Sequence, residues 1–167
     1  MTMEVVLDTV CLRNLLRRPK RGRGQGASPG IGTSIDQYVI SGRLTLCLDA
    51  AGGLLDEWRT TCGFDPVQVL ITKWERGIRV LADPPPLDGL TRTRLGQLGF
   101  PSGIDRLILR MAVCTHDKTV VSNDPHFWNP GRPRDRGKDH APVARYCHNR
   151  LGVTIWLLIM LMNALSD

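Results

Sequence analysis

Three acidic residues of this 167-residue chain stand where regular elements begin or end. Asp8 follows the short apolar run 3–7, and Asp124 follows the run 119–122. Asp105 opens a stretch whose apolar residues recur at helical spacing. Hard divalent cations such as Mg²⁺ prefer oxygen ligands, and a few carboxylates suffice because water and substrate phosphate fill the other positions. These acids are therefore candidate metal ligands.

A carboxylate site of this kind is suited to phosphate chemistry. One metal ion can polarise a phosphodiester and lower the pKa of a bound water, while a second, about 3.5 to 4 Å away, stabilises the leaving oxygen. Such a reaction needs no Ser, Cys or His nucleophile. The four histidines, His116, His126, His140 and His148, lack the paired spacing of a metal-binding helix, so we interpret them as surface or turn residues.

The elements that must position these acids alternate between strand and helix. Apolar, β-branched runs predict strands at 3–7, 43–48, 78–82, 119–122 and 153–158. Caps and helical spacing predict helices at 9–16, 33–40, 50–62, 65–76, 91–98, 104–115 and 142–150, with a short C-terminal helix after the last strand. This alternation is typical of βαβ units around a mostly parallel sheet in a single domain spanning 1–167.

The parallel sheet gives the acids a common location. Ligands bind parallel sheets outside the carboxyl ends of their strands. Asp8 and Asp124 directly follow strands, so both lie at this edge, and Asp105 at a helix start can face it too. Three further acids lie at the end of the strand at 43–48 or on the helix at 50–62, and the residues alone do not choose among Asp49, Asp56 and Glu57.

Four segments of the chain resemble the PIN domain family, in the branch that includes bacterial toxin nucleases. The opening VVLDTVCLRNLL resembles the family's first strand and its first metal-binding Asp, here Asp8. LTLCLDAAGGLLDEW resembles the second strand and the helix with an acid-aromatic pair, which favours Glu57 beside Trp58. GFPSGIDRLILRMAV is similar to the segment with the third acid, Asp105, and KTVVSNDPHFW to the segment with the fourth, Asp124.

The resemblance implies a PIN-like three-layer α/β/α fold and a ribonuclease that depends on Mg²⁺ or Mn²⁺. It implies RNA as the partner and, for a toxin, an antitoxin protein; the sequence leaves a homodimer open. Ser122 and Asn123 resemble polar residues that support the metal shell or bind substrate, and a turn is the alternative interpretation of both.

The charge of the chain favours an anionic partner. Lys and Arg number 22 against 16 Asp and Glu, a formal net charge of +6. The basic segment 17–31 is predicted to be a flexible loop, in which Arg18 and Arg21 are candidate phosphate contacts; a solvated connector is the alternative. The polar segment 125–140 is predicted to be a long surface loop, in which Trp128 is a candidate for stacking on a base.

The remaining composition indicates a cytoplasmic protein. Five separated cysteines without a C-x-x-C pair argue against a structural zinc site and favour a reducing compartment. No signal peptide is recognisable, and the most apolar stretch, 153–162, is about half the roughly 20 residues that a membrane-spanning helix needs.

Two other functional classes fit the same pattern. A PIN-like module could bind RNA or protein without catalysis, and a DNA nuclease or phosphatase could use the same carboxylates. A metal-dependent ribonuclease is the function that the sequence favours.

Overall fold

The computed structural model describes residues 2–17 and 31–166. Its five strands are β1 (Met3–Leu7), β2 (Leu44–Asp49), β3 (Ile78–Leu81), β4 (Thr119–Val121) and β5 (Thr154–Trp156). They form one sheet in the order β3-β2-β1-β4-β5, and every neighbouring pair is parallel. Flanking helices complete a three-layer α/β/α arrangement, which confirms the predicted fold class.

Eight α-helices connect or follow the strands in the described part of the chain. They are α1 (Thr9–Leu16), α2 (Ile31–Ile40), α3 (Gly53–Cys62), α4 (Phe64–Lys73), α5 (Gly89–Gln97), α6 (Ile104–Cys114), α7 (Pro142–Leu151) and α8 (Leu158–Ser166). The predicted start of the second helix at 33 was wrong, because α2 begins at Ile31. Arg18 and Arg21, together with most of the predicted basic loop 17–31, lie outside the described residues.

The centre of the sheet is apolar on both faces because helices cover it. In β1, Val5 and Val6 are fully buried and Leu7 is nearly so. The α6 helix contacts β1, β2 and β4, and its buried Ile108, Leu109, Met111 and Ala112 supply the contact surface. Burial of such side chains stabilises the fold by about 1.5 to 3 kcal/mol each.

The strand order defines where a site can form. From the central β1 the chain builds outward through β2 and β3 on one side, then crosses over to build β4 and β5 on the other. The carboxyl ends of β1 and β4 therefore form the switch point of the sheet, where connections leave in opposite directions and open a crevice. The register pairs Leu7 with Val121, so the next residues, Asp8 and Ser122, lie side by side at this crevice.

The segment 125–140 lies largely at the surface and includes two short helical turns. It contains two 3₁₀ helices, Pro125–Phe127 and Pro133–Asp135. Phe127 and Trp128 are buried, and the buried carboxylate of Asp135 accepts a hydrogen bond from the Asn129 side chain at 2.8 Å. Most other residues of this segment are exposed or half-buried, and the two aromatic side chains anchor it in the core.

The structure also describes the state of the cysteines and the length of the apolar helices. All five cysteines are free; three are buried, Cys62 is half-buried and Cys114 is exposed. No helix within 2–17 or 31–166 is long and apolar enough to cross a membrane.

Candidate metal centre

Asp8 enters the crevice directly from the central strand. Its backbone amide donates to the Val121 carbonyl oxygen at 3.0 Å, which extends the pairing of β1 with β4 by one residue. The residue is only 3% exposed, and its side chain makes no capping hydrogen bond to α1. A helix cap, the usual structural role of an Asp at this position, therefore does not account for its burial.

Ser122 connects the two strands at the crevice. Its Oγ donates to Asp8 Oδ2 at 2.8 Å and accepts from the Asp124 backbone amide at 3.0 Å. The Ser122 carbonyl oxygen accepts from the indole N–H of Trp128 at 3.0 Å. Ser122 thus fixes the Asp8 carboxylate and the start of the Asp124 turn in one place.

Asp124 begins the turn that follows β4. Its Oδ1 accepts from the His126 backbone amide at 2.9 Å and caps the short helix Pro125–Phe127. The His126 ring nitrogen Nδ1 lies 3.3 Å from Asp124 Oδ1 and 3.5 Å from Asp105 Oδ2. The same imidazole therefore contacts two carboxylates that are 19 positions apart in sequence, so these two lie close in space.

Asp105 is held at this point by its own helix and by aromatic packing. It occupies the first turn of α6 and is 8% exposed. Phe100, five residues earlier, packs edge-to-face on Phe127 with ring centroids 5.2 Å apart. This contact joins the segment before Asp105 to the turn after Asp124.

Asn123 has a structural partner. Its Oδ1 accepts from the Leu158 backbone amide at 3.0 Å and so caps α8. The Asn123 carbonyl oxygen accepts from Arg136 at 3.0 Å. These bonds correspond to the turn interpretation of Asn123, whereas Ser122 contacts the acids directly.

The three candidates for the remaining acid, which lie at the end of β2 or on α3, have different surroundings. Asp49 is buried and accepts from the amides of Gly53 and Leu54 at 2.8 and 2.9 Å, so it caps α3. Asp56 is exposed beside Arg59. Glu57 is half-buried and close enough to Asp105 to raise its pKa. Glu57 is therefore the candidate whose charge reaches Asp105.

The carboxylates perturb one another in the way expected of a shared site. Burial, followed by the charges of Asp105 and Asp124, raises the pKa of Asp8 to about 7, against the lowering effect of the Ser122 hydrogen bond. Burial, then the charge of Asp124, raises the pKa of Asp105 to about 6, with His126 opposing and Glu57 adding to the rise. Both carboxylic acids resist ionisation because desolvation and like charges disfavour the anion.

The arrangement is convergent but open. Within residues 2–17 and 31–166, no group of three or more His, Cys, Asp or Glu side chains is arranged so that it could hold a metal ion. The donor chemistry nevertheless fits Mg²⁺ or Mn²⁺, since the converging side-chain groups are carboxylates with a half-exposed imidazole beside them. Asp8, Asp105, Asp124 and Glu57 are the residues that would hold it.

His126 lies in an exposed turn and also contacts the acids. It was interpreted as a surface or turn residue, yet its ring contacts both Asp105 and Asp124. The available signal was its place two residues after Asp124.

Comparisons with protein-family models, curated proteins and solved structures found no match.

Proposed function

We propose that this chain is a PIN-type, Mg²⁺- or Mn²⁺-dependent endoribonuclease that cleaves RNA phosphodiester bonds at the crevice between β1 and β4. The observation that carries the proposal is the convergence of Asp8, Asp105 and Asp124, from three separate parts of the chain, at the switch point of a parallel sheet. The raised pKa values of Asp8 and Asp105 mean that this arrangement costs folding free energy in the absence of a cation. A cation would offset that cost.

Each residue of the site has a part in the proposed reaction. A divalent ion bound by the carboxylates would supply the Lewis acidity that activates water and polarises the phosphate. Asp8, Asp105, Asp124 and Glu57 would hold it from different directions. Ser122 orients Asp8 through its hydroxyl, and the backbone amide of His126 orients Asp124. The partial exposure of Asp124 and His126 leaves the site open to a strand from solvent.

The positive charge of the chain supports RNA as the substrate class, since a net charge of +6 favours association with a polyanion. A toxin role with a protein antitoxin extends the same proposal. It rests on the likeness of the four acidic segments to toxin nucleases.

The test is a cleavage assay with single-stranded RNA in Mg²⁺ or Mn²⁺. We expect Asp105→Asn and Asp124→Asn to lower the cleavage rate by more than about 100-fold, because each removes a charged ligand. Asp56→Asn is the matched control, since Asp56 is an exposed acid on the outer side of α3. Flapped DNA and phosphomonoesters, assayed in parallel, separate a ribonuclease from a DNA nuclease or a phosphatase. Wild-type rates in both site variants would reject the proposal.

A non-catalytic RNA- or protein-binding module is the second candidate. It is favoured by the absence, in the described part of the chain, of a three-residue group already in metal-binding geometry. Under this alternative the protein binds RNA in a salt-dependent manner, cleaves none in either metal, and tolerates Asp105→Asn without a change in affinity.

A further inference from the structure

A second feature of the carboxyl edge of the sheet is a cavity of about 320 Å³ between the segment that follows β3 and the first turns of α5 and α6. We name it the arginine pocket, because three arginine side chains line it. Its lining includes Pro86, Leu87, Arg92, Ser102, Arg106 and Arg110. Leu87 is nearly buried and gives the pocket an apolar wall.

The positive charge of the arginine pocket is not neutralised by nearby acids. Across residues 2–17 and 31–166, no carboxylate lies within 4.0 Å of Arg92, Arg106 or Arg110. Arginines elsewhere do have such partners, as Arg79 has Glu4 and Arg59 has Asp56. Three guanidinium groups around one cavity, without a counterion from the described chain, form a site for an anion.

The hydrogen bonds of these arginines hold their positions and leave donors free. Arg110 donates through Nε to the Pro85 carbonyl oxygen at 3.0 Å and through a terminal nitrogen to that of Pro84. Arg106 donates a weak hydrogen bond through one terminal nitrogen to the Arg92 carbonyl oxygen, at 3.4 Å. The Nε of Arg106 is buried and has no hydrogen-bond partner among the described residues. A buried donor without a partner is unfavourable, and an anion within reach of it would supply the missing acceptor.

The arginine pocket and the acids share the α6 helix. Asp105 and Arg106 are consecutive. Arg110 lies about 7.5 Å from Asp105 along the helix axis, at 1.5 Å per residue. Because all strands are parallel, the segment after β3 emerges at the same edge as Asp8 and Asp124. Successive nucleotides of a stacked strand advance by about 3.4 Å. A strand that ran along α6 from Asp105 towards Arg110 would therefore place a phosphate at this pocket about two or three nucleotides from the acids.

We propose that the arginine pocket binds a backbone phosphate of the RNA strand, about two or three nucleotides from the bond cleaved at the acids. This inference rests on the proposed ribonuclease function. The guanidinium group suits it because its fixed fork of N–H donors matches two phosphate oxygens and it remains charged at any working pH. The pocket sets the register of the strand and plays no part in bond cleavage.

The test measures binding in EDTA, so that cleavage does not enter. Fluorescein-labelled single-stranded RNA is titrated with wild type, Arg92→Gln and Arg106→Gln at several salt concentrations. We expect each substitution to weaken binding by about tenfold and to reduce the magnitude of the log–log salt slope by about 0.7. Arg76→Gln is the control, because Arg76 is exposed and precedes β3 at the opposite edge of the sheet. Melting curves confirm folding, and the exposed Arg92 gives a variant with little structural risk.

The outcomes separate this inference from the proposed function. Affinities and salt slopes equal to wild type in both pocket variants would overturn the inference while leaving cleavage untouched. Arginine-dependent binding without cleavage in Mn²⁺ would support the pocket and reject the ribonuclease. Inorganic phosphate, a nucleoside monophosphate and an acidic peptide serve as competitors. If one of them binds through Arg92 and Arg106 while RNA does not, the RNA backbone is the wrong source of the anion.

Discussion

At the scale of single residues, the hydrogen bond between Ser122 Oγ and Asp8 Oδ2 is central to the site. It places a carboxylate that is 3% exposed next to two further acids. A hydroxyl donor lowers the pKa of Asp8, but burial and the neighbouring charges outweigh it and the net shift is upward. In the metal-free protein Asp8 is therefore mainly protonated below about pH 7 and mainly ionised above it.

This shift predicts how stability depends on pH. Folded Asp8 has a pKa of about 7 and unfolded Asp about 3.8, so the folded state binds the proton more tightly. Its contribution is fully present below about pH 4 and is lost as pH rises through 7. Without metal, we expect Asp8→Asn to remove up to about 4 kcal/mol of this pH dependence of the unfolding free energy. The variant should therefore have a higher melting temperature than wild type at pH 8.

Thermal melting in EDTA between pH 4 and pH 8 measures the effect. Asp56→Asn, which changes an exposed acid, should follow the wild-type curve. Parallel curves for wild type and Asp8→Asn over the whole range would show that Asp8 ionises freely in the folded protein.

At the scale of elements, Gly103 sets the position of Asp105. It is the N-cap of α6 and has φ 83° and ψ −131°, a conformation that residues with a Cβ adopt at a cost of about 1 to 3 kcal/mol. A Cβ at Gly103 would meet no atom within 4 Å, so the cost lies in the backbone alone. Relief of that strain would rotate the first turn of α6, which bears Asp105.

We therefore expect Gly103→Ala to lower the melting temperature by about 2 to 4 °C for each kcal/mol of strain and to reduce RNA cleavage further than the lost stability explains. Gly152→Ala is the control. Gly152 has φ 67° at the end of α7, away from the acids, and its Cβ would meet only Lys118 at 3.9 Å. Equal effects of the two substitutions on cleavage at a temperature where both are folded would contradict the positioning role.

The sequence predicted the elements well where local pattern determines them. Buried strands appear in the sequence as apolar runs, and Asp8 and Asp124 each follow such a run. Their position at one edge of the sheet could therefore be predicted before any strand pairing was known. The order of the strands could not be predicted from the sequence, because it depends on long-range pairing such as that of Leu7 with Val121. The crevice at the switch point therefore emerged only from the structure.

Other parts of the site also depend on three-dimensional packing. Asp56 and Glu57 are consecutive, and only the packing of α3 against α6 brings Glu57 near enough for its charge to raise the pKa of Asp105. The contact of His126 with two acids requires the 3₁₀ turn at 125–127. Trp128 was a candidate base-stacking residue, but it is 3% exposed within the core, and its indole N–H donates to the Ser122 carbonyl oxygen.

At the scale of the whole molecule, a basic protein concentrates negative charge at one edge of its sheet. The net charge is +6, yet the crevice brings together Asp8, Asp105 and Asp124, with Glu57 nearby. Beside them the arginine pocket has the opposite charge. This separation of positive and negative charge suits an anionic substrate. The arginine side chains would hold it, and metal ions would mediate its contact with the acids.

Global stability should therefore depend on divalent cations. A cation that binds only the folded state stabilises it by about 2.7 kcal/mol at 100 times its dissociation constant. That corresponds to an increase of about 5 to 11 °C in melting temperature for a chain of this size. We expect Mn²⁺ or Mg²⁺ at pH 7.5 to raise the melting temperature of wild type and of Asp56→Asn, and to have little effect on Asp8→Asn or Asp105→Asn. NaCl at matched ionic strength separates binding from general screening. An equal rise in all four proteins would place the cation away from the crevice, and no rise in wild type would remove the metal from the proposed mechanism.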